Sequence, residues 1–184
     1  MSTDPLTALP PALVGRRLSL RLALPEGPTD RIGLVLALDA TTLTLERRNG
    51  AVEQVPREQI RLARVIPTVP RGRNPLHAPE EFLRALAHDP GLESFPGPCW
   101  VARLGDLVDH VDDAGVRRPT ATTAVRGESR GMLNGEWSAL RLAAADDLRP
   151  LAAWAARRDA RNVVLTSGLS DDDLLRLGLV PLPG

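Results

Sequence analysis

Between Leu13 and Ile66 apolar residues recur at every second position, and no other feature constrains what this chain can fold into as strongly. Leu18, Leu20, Leu22 and Leu24 alternate with Arg17, Ser19, Arg21 and Ala23. Successive side chains of a strand point to opposite faces, so this spacing sends one face to a core and the other to water. Ile32, Leu34, Leu36 and Leu38 repeat the pattern after a long first loop, and Leu43 with Leu45 opens a third strand. Arg48-Asn49-Gly50 interrupts two strand-like flanks, and Asn-Gly supplies the positive φ angles of a two-residue hairpin. Val52 and Val55 return, Pro56 to Ile60 reads as one helical turn, and Leu62 to Ile66 is the last strand. The expectation is a small five-stranded β-barrel over residues 13–66.

The flanks read differently. Residues 1–12 are broken by Pro5, Pro10 and Pro11 and read as a loose terminus. Pro67, Pro70 and Pro75 with Arg71-Gly72-Arg73 make residues 67–78 an extended linker, since each proline fixes φ and removes a backbone donor. Residues 79–184 form a second, α+β unit. Pro79-Glu80-Glu81 opens a helix with Phe82, Leu83 and Leu86 on its apolar face, and Cys99-Trp100-Val101 starts a strand. Asp112 to Gly115 reads as a turn from which residues 116–125 return as a strand, and Asn134-Gly135 marks another turn before the strand at Trp137. Leu148, Leu151, Ala152, Ala155 and Ala156 fall on one helical stripe behind Asp146-Asp147. A strand at Val163 to Leu165 and a short helix capped by Ser170 follow.

With 184 residues, 43% of them hydrophobic, and a net charge of zero, the chain has the composition of a globular protein of one large or two small domains. All 23 basic residues are arginine, and tyrosine is absent, the usage of a GC-rich genome. Residues 13–73 carry 11 arginines against 6 carboxylates, and residues 74–184 carry 12 against 16, so the halves have opposite sign. Cys99 is the only cysteine and excludes an internal disulfide. No apolar run approaches the ~20 residues of a membrane helix, and the start lacks a leader pattern. A cytoplasmic protein with no membrane contact is expected.

The strand order of residues 13–66 matches an SH3-like or Sm-like barrel. With the stretches "LVGRRLSLRL", "GLVLALDATTLTLERRNGAVEQVPREQI", "FLRALA", "CWVARLGD", "VRGESRGMLNGEWSALRLA" and "LAAWAARRDARNVVLTSGLSDDDLLRLGLVPL", the chain resembles GNAT-type N-acetyltransferases of GC-rich bacteria that carry an SH3-like barrel before the acetyltransferase domain. The resemblance implies an N-terminal barrel followed by a shortened GNAT-like domain. It also implies acetyl-CoA as cofactor if the chain is an active enzyme, with two adjacent parallel strands near Trp137 and Val163 parting to admit pantetheine.

The departures bear on function. The family holds the cofactor pyrophosphate on backbone N–H groups of an Arg/Gln-x-x-Gly-x-Gly/Ala loop at a helix N-terminus, where free donors and the helix dipole favour an anion. Here that place reads Ala143-Ala144-Ala145-Asp146-Asp147. The nearest glycine and arginine cluster is Arg126, Gly127, Arg130 and Gly131, the candidate cofactor-binding residues. The family's general-acid tyrosine aligns with Leu174, which has no proton to give, and Glu136 is the candidate base. The first expectation is therefore a GNAT-related pseudoenzyme that needs no cofactor and acts as a binding or accessory protein. Its partner would be another protein or a second copy of itself. An active N-acetyltransferase using acetyl-CoA is one alternative, and a nucleic-acid-binding Sm/SH3-like module is the other.

Other residue groups point less far. Asp109-His110 with Asp112-Asp113 suggests a metal, but neighbours on a strand face opposite ways, and no metal is expected. Cys99 has no evident activating base, and His77 and His88 read as solvated. Arg16, Arg17, Arg21, Arg47 and Arg48 form the candidate nucleic-acid or partner-binding set. No aromatic residue precedes Phe82, so neither base stacking nor a polyproline groove is supported, and a protein-docking role is favoured over a nucleic-acid one.

Overall fold

A computed structural model describes residues 5–8 and 12–182. The fold is α+β with two sheets, of five and six strands, and the chain divides into two compact units at Thr68/Val69.

In the first unit β1 (Arg17–Leu24), β2 (Gly27–Leu38), β3 (Thr42–Glu46), β4 (Val52–Pro56) and β5 (Ile60–Ile66) form an antiparallel sheet in the order β4-β3-β2-β1-β5. Leu18, Leu20 and Leu22 line its core with Leu43, Leu45, Val55 and Ile60. A 3₁₀ turn, Arg57–Gln59, joins β4 to β5. Among the described residues β4 and β5 share no ladder, so the sheet is open along that seam rather than a closed barrel.

Three further details depart from the sequence reading. The long first loop is a two-residue turn, Pro25-Glu26, with Leu24 paired to Gly27. The β3–β4 turn spans three residues: Arg47 N–H donates to Ala51 O and only Gly50 takes positive φ, while Asn49 uses its side chain to accept from Ala51 N–H. A type I turn closed by a left-handed glycine has this form. In β2 the residues opposite the inward leucines of β1 are Thr29, Arg31 and Gly33, with Val35 in the same core; Ile32 is 52% exposed, while Leu34 is buried. The register slips between Val35 and Ala37, and one extra residue reverses which side chains face the core. Of the presumed loose terminus, Pro5–Ala8 is a 3₁₀ turn with Leu6 buried in this core, and residues 1–4 and 9–11 lie outside the described residues.

The second unit holds α1 (Glu80–Ala87), β6 (Trp100–Arg103), α2 (Leu104–Leu107), β7 (Thr123–Arg126), β8 (Ser129–Asn134), β9 (Trp137–Leu142), α3 (Leu148–Arg157), β10 (Asn162–Ser167), α4 (Asp171–Arg176) and β11 (Val180–Pro181). The sheet order is β11-β6-β10-β9-β8-β7, parallel only between β9 and β10, which α3 connects. Alternation divides the central strands between two helices. Val101, Ala139 and Val164 pack with Leu83 and Leu86 of α1, while Leu140, Leu142, Val163 and Leu165 pack with Leu151 and Trp154 of α3. The expected strand over residues 116–125 shortens to Thr123–Arg126, and its hairpin turn is Gly127-Glu128. Within the stretch read as linker, Val69 is buried in this unit's core and Pro75–His77 forms a 3₁₀ turn with Pro75 buried.

Candidate functional site

The loop between β9 and α3 is where the resemblance puts a pyrophosphate, and three of its donors, the N–H groups of Ala143, Asp147 and Leu148, are already committed. Asp147 N–H donates to Ala144 O at 3.2 Å and Leu148 N–H to Ala145 O, through a 3₁₀ turn that leads directly into α3. Pro150, in the first turn of α3, has no N–H to offer. Asp147 itself faces inward: its Oδ2 accepts from Ser129 Oγ at 2.7 Å, and its Oδ1 lies 3.1 Å from Arg126 Nε. Ser129 Oγ in turn accepts from Ala143 N–H at 2.9 Å. A carboxylate therefore stands where an anion would have to bind, held by the residues beside it.

The adjacent strands do not part. β9 and β10 pair continuously from Trp137↔Asn162 to Leu142↔Ser167, six consecutive residues, so no gap opens between them for a pantetheine arm.

Strand alternation separates the arginine and glycine candidates. Arg126 lies against Asp147 near the start of α3, and Gly127 with φ +56° makes the β7–β8 turn. Gly131 faces Trp154, where an added Cβ would come within 3.0 Å of both Leu140 and Trp154. Only Arg130 points to the other side of the sheet, where its Nη2 reaches Glu93 at 3.2 Å. These four residues are a hairpin, not a phosphate loop. Glu136 sits in the β8–β9 turn, mostly exposed and paired with Arg161 at 3.2 Å. Leu174 is a core residue at 1% exposure.

The segment between α1 and β6 brings together a group that sequence reading left apart. Cys99 Sγ lies 3.5 Å from His88 Nε2, and His88 Nδ1 lies 3.0 Å from Ser94 Oγ, an order resembling nucleophile, base and orienting group. The thiol is fully buried, however, and burial pushes its pKa up, although Arg84 acts weakly the other way. A protonated, inaccessible thiol is not a nucleophile.

On the other side of the sheet Arg130 joins residues that sequence reading missed. Together with the candidate Gly127 and with Glu93, Arg117, Val125, Glu128 and Arg141 it lines a cleft of about 490 Å³. Arg141 donates through Nη1 to Glu128 O at 2.5 Å and its guanidinium lies 4.3 Å above the Phe95 ring. The signal was available in the Asn134-Gly135 turn, because a hairpin closing there sets Arg130 directly opposite Arg141.

In the first unit the register gathers Arg16 and Arg17 with Arg47 and Arg48 towards one end of the sheet, while Arg21 lies further along β1. Arg21 grips Asp30 with two hydrogen bonds of 2.8 and 2.9 Å, and Arg47 lies 3.8 Å from Glu53. Around His110, Asp109 binds the imidazole at 2.7 Å, and Asp113 is taken by Arg118 and Arg157. Among the described residues no cluster of three or more His, Cys, Asp or Glu is placed to hold a metal. No helix among them is long and apolar enough to cross a membrane. No protein-family model, curated protein or solved structure matches the chain.

Proposed function

We propose that the chain is a GNAT-related binding or accessory protein that no longer operates on acetyl-CoA, with its N-terminal sheet serving as an SH3-like protein-docking module. The observation that carries this reading is the use of Asp147 at the start of α3. An anion there would meet a carboxylate a few ångströms away, a repulsion of roughly 1 kcal/mol in water and several times that where water is partly excluded. The continuous β9–β10 ladder supports the same reading, since the pantetheine arm would have to break it. For the first unit, the support is the strand order β4-β3-β2-β1-β5 with a 3₁₀ turn before the last strand, the arrangement expected of an SH3-like meander.

Calorimetric titration of the full chain with acetyl-CoA, run beside inorganic pyrophosphate, tests it. Acetyl-CoA should bind no more tightly than pyrophosphate, because the unbroken β9–β10 ladder offers its pantetheine arm no seat. Micromolar binding specific to acetyl-CoA would overturn the proposal and favour the enzyme, with Glu136 as the first residue to substitute.

A further inference from the structure

The sheet of the second unit carries three arginines on one rung. Arg117 bridges Val125, Val125 pairs with Arg130, and Arg130 pairs with Arg141, so the four residues follow one another across the strands. Like charges directly opposite each other in a sheet are destabilising. Arg130 and Arg141 occupy that relation. Hydrophobic packing does not hold them there, since both line the open cleft of about 490 Å³.

Internal partners answer this charge only in part. Glu93 reaches Arg130 at 3.2 Å, but both side chains are well exposed, and water screens most of the attraction in such a pair. Glu93 also takes a left-handed backbone, φ +52°, a conformation that disfavours a residue with a Cβ. Arg141 spends one N–H on Glu128 O and its face on Phe95, and its buried Nε–H has no acceptor among the described residues. Buried donors are ordinarily satisfied. The Arg117 guanidinium is exposed and has no hydrogen-bond or ion-pair partner among the described residues. Exposed Glu128 is the other carboxylate of the lining, leaving three cations against two anions.

We infer that this cleft is a binding site for a small multivalent oxyanion, carried by phosphate or by carboxylate groups. Planar guanidinium forks match the oxygens of either group through paired hydrogen bonds, and one such ligand would relieve the repulsion along the whole rung. The site lies on the face of the sheet that carries α1, and its lining includes no residue of the β9–α3 loop, so it does not depend on the reading of that loop.

The test is titration of the full chain at low ionic strength with pyrophosphate in one arm and citrate in the other, followed by calorimetry. Sub-millimolar binding in either arm is expected, and the stronger arm identifies the group. Arg117→Gln removes a side chain with no structural partner and should weaken binding about tenfold, the worth of one charge-assisted hydrogen bond, while circular dichroism stays unchanged. Arg149→Gln, an exposed arginine on α3, controls for net charge and should leave affinity as it was. Absence of binding in both arms, binding indifferent to Arg117→Gln, or equal losses in the two variants would each overturn the assignment.

Discussion

Cys99 shows how a residue's surroundings decide its chemistry. A histidine and a serine in line beside it would suggest a reactive centre if geometry were the only criterion. Burial reverses that conclusion, because the anionic form of a thiol loses solvation when water is removed. The chain should therefore react with a thiol-specific disulfide reagent only after denaturation, with no fast native phase; stoichiometric modification of folded protein within seconds would refute this. Burial raises the folded pKa, so the folded chain keeps its proton at a pH where the unfolded chain releases it. The contribution of this thiol to stability is complete below the ordinary thiol pKa of about 8.5 and declines as pH rises through the folded value.

At the level of elements, register decided what the sequence could disclose. β1 was legible because its leucines alternate without interruption. β2 alternates as regularly, yet its expected inward set is wrong over its first half, because the slip between Val35 and Ala37 leaves no mark in a pattern of apolar residues. The same is true of the β7–β8 hairpin, where a threonine-rich run suggested a longer strand than the four residues that pair. The missed cleft has a related cause: its arginines are 11 to 24 residues apart along the chain and meet only through pairing across three strands and a bridge. α1 and α3 were legible from their apolar stripes and acidic starts. Gly33 provides a test of the β2 register. A Cβ there would fall 2.9 Å from Glu46 O and 3.0 Å from Leu45 Cβ, and backbone cannot swing aside as a long side chain can. Gly33→Ala should destabilise the first unit by about 1–3 kcal/mol in chemical denaturation, the usual range for overpacking. A neutral substitution would mean that β2 pairs with β3 in another register.

For the whole molecule the question is what an excess of arginine in residues 13–73 is for. Taken as a count, 11 arginines against 6 carboxylates suggests a surface for nucleic acid. The structure places much of that charge beside its complement. Asp30 is gripped by Arg21, which holds its carboxyl below the usual range, and Arg31 and Arg47 share Glu53 at 3.2 and 3.8 Å. A phosphate approaching these arginines would first have to displace a carboxylate, and fewer released counterions means a weaker, flatter salt response. No aromatic side chain in this unit could stack a base in compensation. The full chain should therefore leave labelled single-stranded RNA unshifted in a gel even at about 50 mM salt, where phosphate contacts are strongest. A shift that fades with a steep slope in log salt would show instead that the arginines of this unit reach phosphate despite their partners, and would return the nucleic-acid reading to first place.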